Sequence, residues 1–191
     1  MLGRSLRHKL ATALALQGDV RGAYEQFMDV VRLAPQDGLD ERAAKAHYSL
    51  GVLMASAGRG SEAVTHLSSA VKFNSNYLEA RLALGDALSR AGRPQPALAE
   101  YAEVIRLNPR SADARFGYAM ALVRLKRFKE ARDWLDEPAR LLPEDLQLRH
   151  ARARLMAAAP DSAARDGGQA LALMQQLLQQ LPPENRTTQL G

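Results

Sequence analysis

The chain has 191 residues and no cysteine. Neither disulfides nor thiolate chemistry therefore hold or operate it, whatever its compartment, and cytoplasm and periplasm stay equally open. Long apolar runs are missing too. No stretch approaches the roughly 18 apolar residues of a membrane span, so membrane insertion is not expected. The opening, MLGRSLRHKLATALALQGD, sets basic residues before an apolar run, as a signal peptide does. That run is short, and Gly18-Asp19 offers no A-x-A-like cleavage site, so an amphipathic first helix is the better reading. Aromatics are scarce, at 5%. The Val/Ile/Thr alternation of a strand is absent. Alanine, leucine and arginine dominate instead, which favours helices, and 47% hydrophobic residues suffice for a sizeable core. Arginine far outnumbers lysine, a compositional pointer to a GC-rich, bacterial source.

Catalytic constellations are equally lacking. There is no G-x-S-x-G, no Walker-type loop and no H-E-x-x-H. The glycine pairs in AGRGSEA and RDGGQA do not follow strands and read as turns. Of the four histidines, His8 and His150 are too far apart to share a metal, His47 is expected to pack, and His66 is expected on an exposed face. No enzyme activity, cofactor or metal is implied. Net charge is +5, but 26 basic residues are interspersed with 21 acidic ones, so nucleic acid is not a favoured partner. Even the densest basic stretch, RLKRFKEAR, is diluted by Glu130 and then Asp133.

What is present is a period. RLALGDALSRAGR, from Arg81, places Gly85 inside an evident helix, where glycine costs about 1 kcal/mol relative to alanine. Counting 34 residues back gives Gly51, and 34 forward gives Ala119. Ala63, Ala97 and Ala131 follow, and then Ser75, Pro109 and Pro143. Small residues that recur at a fixed period indicate stacked helix pairs, A then B, with two backbones in close approach at each small residue. Gly51 and Gly85 are then expected where helix A meets its own helix B. Gly18, Gly58 and Gly92 fall just past each helix A, in the left-handed C-cap slot, with Lys126 in their place further on.

These residues resemble the tetratricopeptide repeat family, whose 34-residue pattern is W-x2-L-G-x2-Y…A-x3-F…P. Residues 78–111 carry it best, with Leu84-Gly85, Leu88, Ala97, Tyr101 and Pro109. Further copies are read at 4–37, 44–77 and 112–145, with a looser one at 146–183. The resemblance implies an all-α, right-handed superhelical solenoid of about ten helices. Residues 184–191 are read as a tail or as the start of a cut sixth repeat, because Leu190-Gly191 fall at its Leu-Gly position. Three irregularities stand out. The insertion near 36–41 predicts a longer loop and extra turns on the next helix. Pro160, Asp161, Gly167 and Gly168 predict a longer A–B loop. Pro138 predicts a bend or break near 136–138.

The resemblance also implies a function: non-catalytic binding of a protein or peptide in a concave groove lined by the A helices. Repeat positions 2, 5, 9 and 12 point into that groove in this family. Carried over, they give Ser5, His8, Thr12 and Ala15, and then Lys45, Tyr48, Val52 and Ala55. Glu79, Leu82, Asp86 and Ser89 follow, then Asp113, Phe116, Met120 and Val123, and last Gln147, His150, Arg154 and Ala157. Tyr48, Leu82, Phe116 and Met120 would form an apolar stripe, flanked by Asp86, Arg90, Arg124 and Arg154. The competing reading makes Leu82, Phe116 and Met120 plain inter-repeat core. Members that clamp the acidic tails of heat-shock chaperones use lysine and asparagine where this chain has His8, Thr12 and Ser49, and lysine and arginine where it has Glu79 and Ala83, so that clamp is not expected. The rival readings are nucleic-acid binding, a regulatory segment of a larger enzyme, and self-association through exposed terminal helices.

Overall fold

A computed structural model describes residues 3–34, 40–141, 146–158 and 166–180, with the backbone alone at 136–141, 147, 158 and 177–180. Among the described residues there are ten α-helices and no strand. They form two compact units, residues 1–107 and 108–191.

The first unit holds α1 (Arg4–Leu16), α2 (Val20–Arg32), α3 (Glu41–Ser56), α4 (Gly60–Phe73), α5 (Leu78–Arg90) and α6 (Pro94–Leu107). Each helix packs on the next within α1–α2–α3–α4–α5–α6, and α3 also touches α1 and α5. The second unit holds α7 (Ala112–Arg124), α8 (Phe128–Leu141), α9 (Leu146–Ala158) and α10 (Gly167–Gln180). There α7 packs on α8 and α9, α8 on α9, and α9 on α10. Nothing about these helices is unusual in propensity. What pairs them is a seam of alanine, with Ala23, Ala63, Ala97 and Ala131 all fully buried on the second helix of each pair.

The glycines lie on the other side of that seam. A Cβ added to Gly51 would stand 2.5 Å from Leu67 Cγ, and one added to Gly85 would stand 2.7 Å from Tyr101 Cε1. The backbones of α3 and α5 thus approach their partners as closely as a missing side chain allows, which offsets the propensity cost of a helical glycine. Each of the first four pairs then turns in the same way. Gly18, Gly58 and Gly92 have φ of 82°, 74° and 72°. The following amide bonds back across the turn: Asp19 to the Leu14 carbonyl at 2.9 Å, Arg59 to Met54 at 2.8 Å and Arg93 to Leu88 at 2.9 Å. This is the Schellman closure. Lys126 makes the same turn at φ 60°, and Arg127 bonds to the Leu122 carbonyl at 2.9 Å.

The irregular places have specific outcomes. Helix α3 has 16 residues against 13 for α1, α5, α7 and α9, so the extra turn expected after the insertion is present. Residues 35–39 of that insertion, and Pro160 and Asp161, lie outside the described residues, as do 181–191. Gly167 and Gly168 belong to α10, not to a loop. No break occurs at Pro138. α8 runs to Leu141, because proline removes only one hydrogen bond of the ladder and the neighbouring bonds carry the helix past it.

One feature was not foreseen. The fourth position of each repeat, where the family has tryptophan, holds Arg7, His47, Arg81, Arg115 and Arg149. Each reaches across to the second helix of its pair. Arg7 bonds Gln26 at 3.1 Å and Asp29 at 2.7 Å. Arg81 bonds Glu100 at 2.7 Å and the Ser75 carbonyl at 2.6 Å. Arg115 donates to the Pro109 carbonyl at 2.8 Å and lies over the Trp134 ring, 5.9 Å from its centroid. Arg149 is 3.5 Å from Gln176. The second pair is built from two imidazoles: His47 Nδ1 and His66 Nδ1 are 3.2 Å apart, so one donates and the other accepts. His66 is therefore half-buried, not exposed as the sequence suggested, and Tyr24 meets its ring edge-on at 6.0 Å. Burial, with His66 adding to it, pushes the His47 pKa down to about 4.

Candidate functional site

The second unit contains a cleft of about 350 Å3 between α7 and α9. Its shape follows from α7. That helix turns its small residues, Ala114, Gly117, Ala119 and Ala121, into buried contacts. The bulkier Phe116, Met120 and Val123, spaced four and three apart, are left together on one half-exposed stripe. Phe128, at the start of α8, lines the cleft as well. The opposite wall is α9, which presents His150, Ala151, Arg154 and Leu155. Leu155 and Ala151 are buried, His150 is half-buried and Arg154 is exposed.

Five of the groove positions expected from the sequence thus share one cleft: Phe116, Met120, Val123, His150 and Arg154. Phe116 and Met120 line it as well as packing, which joins the two readings given to them. Arg124 ends α7 exposed and does not line it.

The remaining candidates lie in the first unit. Lys45 pairs with Glu41 at 2.6 Å on the same helix. Tyr48 is tilted against Tyr77, ring centroids 5.2 Å apart, and burial with Tyr48 beside it pushes the Tyr77 phenol up to about 12. Val52 is exposed and Leu82 half-buried. Asp86 is engaged internally, accepting from the Tyr101 hydroxyl at 2.7 Å. Arg90 lines a second cleft, walled by Ala55, Gly58, Gly60, Ser61, Ala63, Ala87 and Ala91, whose small side chains offer little to grip. Of the first-repeat positions, His8 packs edge-on against Phe27 at 5.1 Å, and its pKa is lowered by burial and then by Lys45. Among the described residues no group of three or more His, Asp or Glu is placed to hold a metal, and no helix is long and apolar enough to cross a membrane.

Comparison with known proteins bears on the fold. The tetratricopeptide repeat family matches residues 82–145. A crystal structure of MamA is similar at a TM-score of 0.77 and 18% identity, covering 92% of this chain and 90% of that one. MamA from Desulfovibrio magneticus RS-1, residue 41 onward, gives a TM-score of 0.75 at 16% identity, covering 92% and 93%. YrrB, described as a TPR protein with an unusual peptide-binding site, gives 0.67 at 21% identity, covering 78% and 74%. A search of curated proteins returns no match. The period in the sequence, the helix pairs closed over glycine and alanine, and these likenesses converge: residues 82–145 match the tetratricopeptide repeat family, and the chain has its fold.

Proposed function

We propose that this protein is a non-catalytic scaffold that binds a peptide segment of a partner protein, and that the cleft between α7 and α9 is where it does so. We read 1–183 as five repeats that present such a surface. The observation that carries the proposal is the cleft itself. Apolar side chains from two A helices line it, with two polar groups at its edge, which is the pattern of a recognition pocket and not of packed core. Tetratricopeptide folds are generally protein-interaction folds, and YrrB is described as having a peptide-binding site, which supports the same reading here.

The test is substitution of Phe116 and Met120 together by alanine. Both side chains are half-exposed, so the variant is expected to keep its helical circular dichroism while losing its partners in a pull-down with the full chain. Unchanged capture by a folded variant would remove the cleft from consideration. Duplex DNA is not expected to replace a peptide, since the cleft floor is apolar.

A further inference from the structure

The two walls of the α7–α9 cleft differ in charge. The α7 side contributes Phe116, Met120 and Val123 and no ionic group. The α9 side contributes Arg154 and His150, and α9 as a whole contains three arginines and no acidic residue. Several exposed arginines elsewhere meet a carboxylate three or four residues away on the same helix or at its start, among them Arg21 with Glu25, Arg59 with Glu62, Arg106 with Glu103 and Arg127 with Glu130, while others, such as Arg90 and Arg124, form no ion pair among the described residues. At the corresponding distances Arg154 has His150, Ala151, Ala157 and Ala158. It makes no ion pair among the described residues, whereas Arg149 and Arg152 are engaged. No acidic residue lines the cleft; Asp113, one turn before Phe116, is exposed outside it.

We propose that the cleft takes a peptide in which a bulky apolar side chain stands next to a carboxylate. The apolar group lies over Phe116, Met120 and Leu155, and the carboxylate meets the Arg154 guanidinium, with His150 beside it. The proposal rests on the peptide-binding reading above and deepens it. At about 350 Å3 the cleft holds one or two side chains, not a whole helix, so a short extended segment is the fitting occupant. A guanidinium fork matches a carboxylate in two parallel hydrogen bonds. Beside an apolar floor those bonds are less screened than in open water, whereas a basic peptide would meet Arg154 unfavourably. An aspartate or glutamate side chain and a free chain terminus share this chemistry.

Random peptides displayed in two formats, one with a free C-terminus and one blocked, are panned on the full chain, and the winners are measured by fluorescence anisotropy. The expected result is enrichment of a large apolar residue adjacent to an acid in the blocked format, to a free terminus in the other, or in both, which identifies the source of the carboxylate. Exchanging that acid for its amide, or Arg154→Glu in the protein, weakens binding about tenfold, and a lysine counterpart of the peptide binds Arg154→Glu better than wild type. Because Arg154 is exposed, the variant is expected to keep the wild-type Tm. If apolar peptides without an acid are enriched and Arg154→Glu binds them unchanged, the carboxylate proposal falls while peptide binding stands. If no peptide is enriched, or the winners still bind Phe116→Ala/Met120→Ala, both fall. Enrichment of stretches of this chain itself, with self-association lost in Arg154→Glu, makes a second copy the occupant and overturns the proposal.

Discussion

At the scale of single residues, absent side chains matter as much as present ones. Alanine favours a helix over glycine by about 1 kcal/mol, so Gly85→Ala looks stabilising on propensity alone. Its new methyl would stand 2.7 Å from the Tyr101 ring, however, and Tyr101 is 2% exposed and tied to Asp86. The expected outcome is a net loss of about 1–3 kcal/mol in urea unfolding, and a larger loss for Gly85→Leu. A second contrast concerns Arg81 and Arg115, which occupy the same repeat position. Arg81 faces Glu100 with both side chains largely out of water, so Arg81→Met strands a carboxylate and is expected to cost about 2–3 kcal/mol. Arg115 is 4% exposed, faces Trp134 and leaves its Nη1 without a hydrogen-bond partner. Arg115→Met removes that unpartnered donor but also the Nε–H that bonds the Pro109 carbonyl, so it is expected to cost less than Arg81→Met, about 1–2 kcal/mol.

At the scale of helices and turns, the four left-handed turns are equivalent in shape but not in residue. Lys126 carries a Cβ where Gly18, Gly58 and Gly92 carry none, so Lys126→Gly is expected to stabilise the α7–α8 turn by about 0.5–1 kcal/mol, read as a raised Tm. The α3–α4 pair contributes a pH dependence through His47. Its folded form holds His47 at about 4, below the ordinary 6.5, so the unfolded chain takes up that proton first. Stability is therefore complete above about pH 7 and falls as pH drops from 6.5 towards 4, by on the order of 2–3 kcal/mol for this residue. His47→Arg with His66→Glu copies the Arg81–Glu100 pair and is expected to flatten the unfolding midpoint between pH 7 and 5; an unchanged acid limb would assign it elsewhere. These elements show what a sequence makes legible. Gly51, Gly85 and the turn glycines announce themselves because each effect is local and recurs at one spacing. The cross-helix pairs did not, because each joins unlike residues whose types change from repeat to repeat. A constant separation of 19 residues, in Arg7 and Gln26, His47 and His66, Arg81 and Glu100, and Arg115 and Trp134, was the available signal. The cleft was half legible. Family positions named Phe116, Met120, Val123, His150 and Arg154, but Phe128, at the start of α8, lies outside those positions and joins them only in the folded helix pair. The bond from the Tyr101 hydroxyl to Asp86 was not legible, since nothing local reveals it.

At the scale of the whole chain, 26 basic residues are interspersed with 21 acidic ones, and many sit in short-range pairs, among them Arg59 with Glu62, Arg106 with Glu103 and Arg127 with Glu130. Surfaces neutralised in this way attract polyanions weakly. Binding of a 20-base-pair duplex, followed by anisotropy, is expected to be no tighter than about 10 μM at low salt and to vanish by roughly 200 mM salt. Tight binding that persists there would revive nucleic acid as the partner. The arginine and histidine links across the helix pairs have a larger consequence. A chain of look-alike hairpins risks mispairing while it folds, each first helix closing on a neighbour's second helix. Here neighbouring links differ in chemistry: amide and acid, imidazole with imidazole, acid, indole, amide. A swap of partners between the second and third hairpins would set an arginine against an imidazole and leave Glu100 facing His47. Adjacent hairpins thus bear different locks and keys, and the alanine seam that makes them interchangeable in shape does not make neighbours interchangeable in identity.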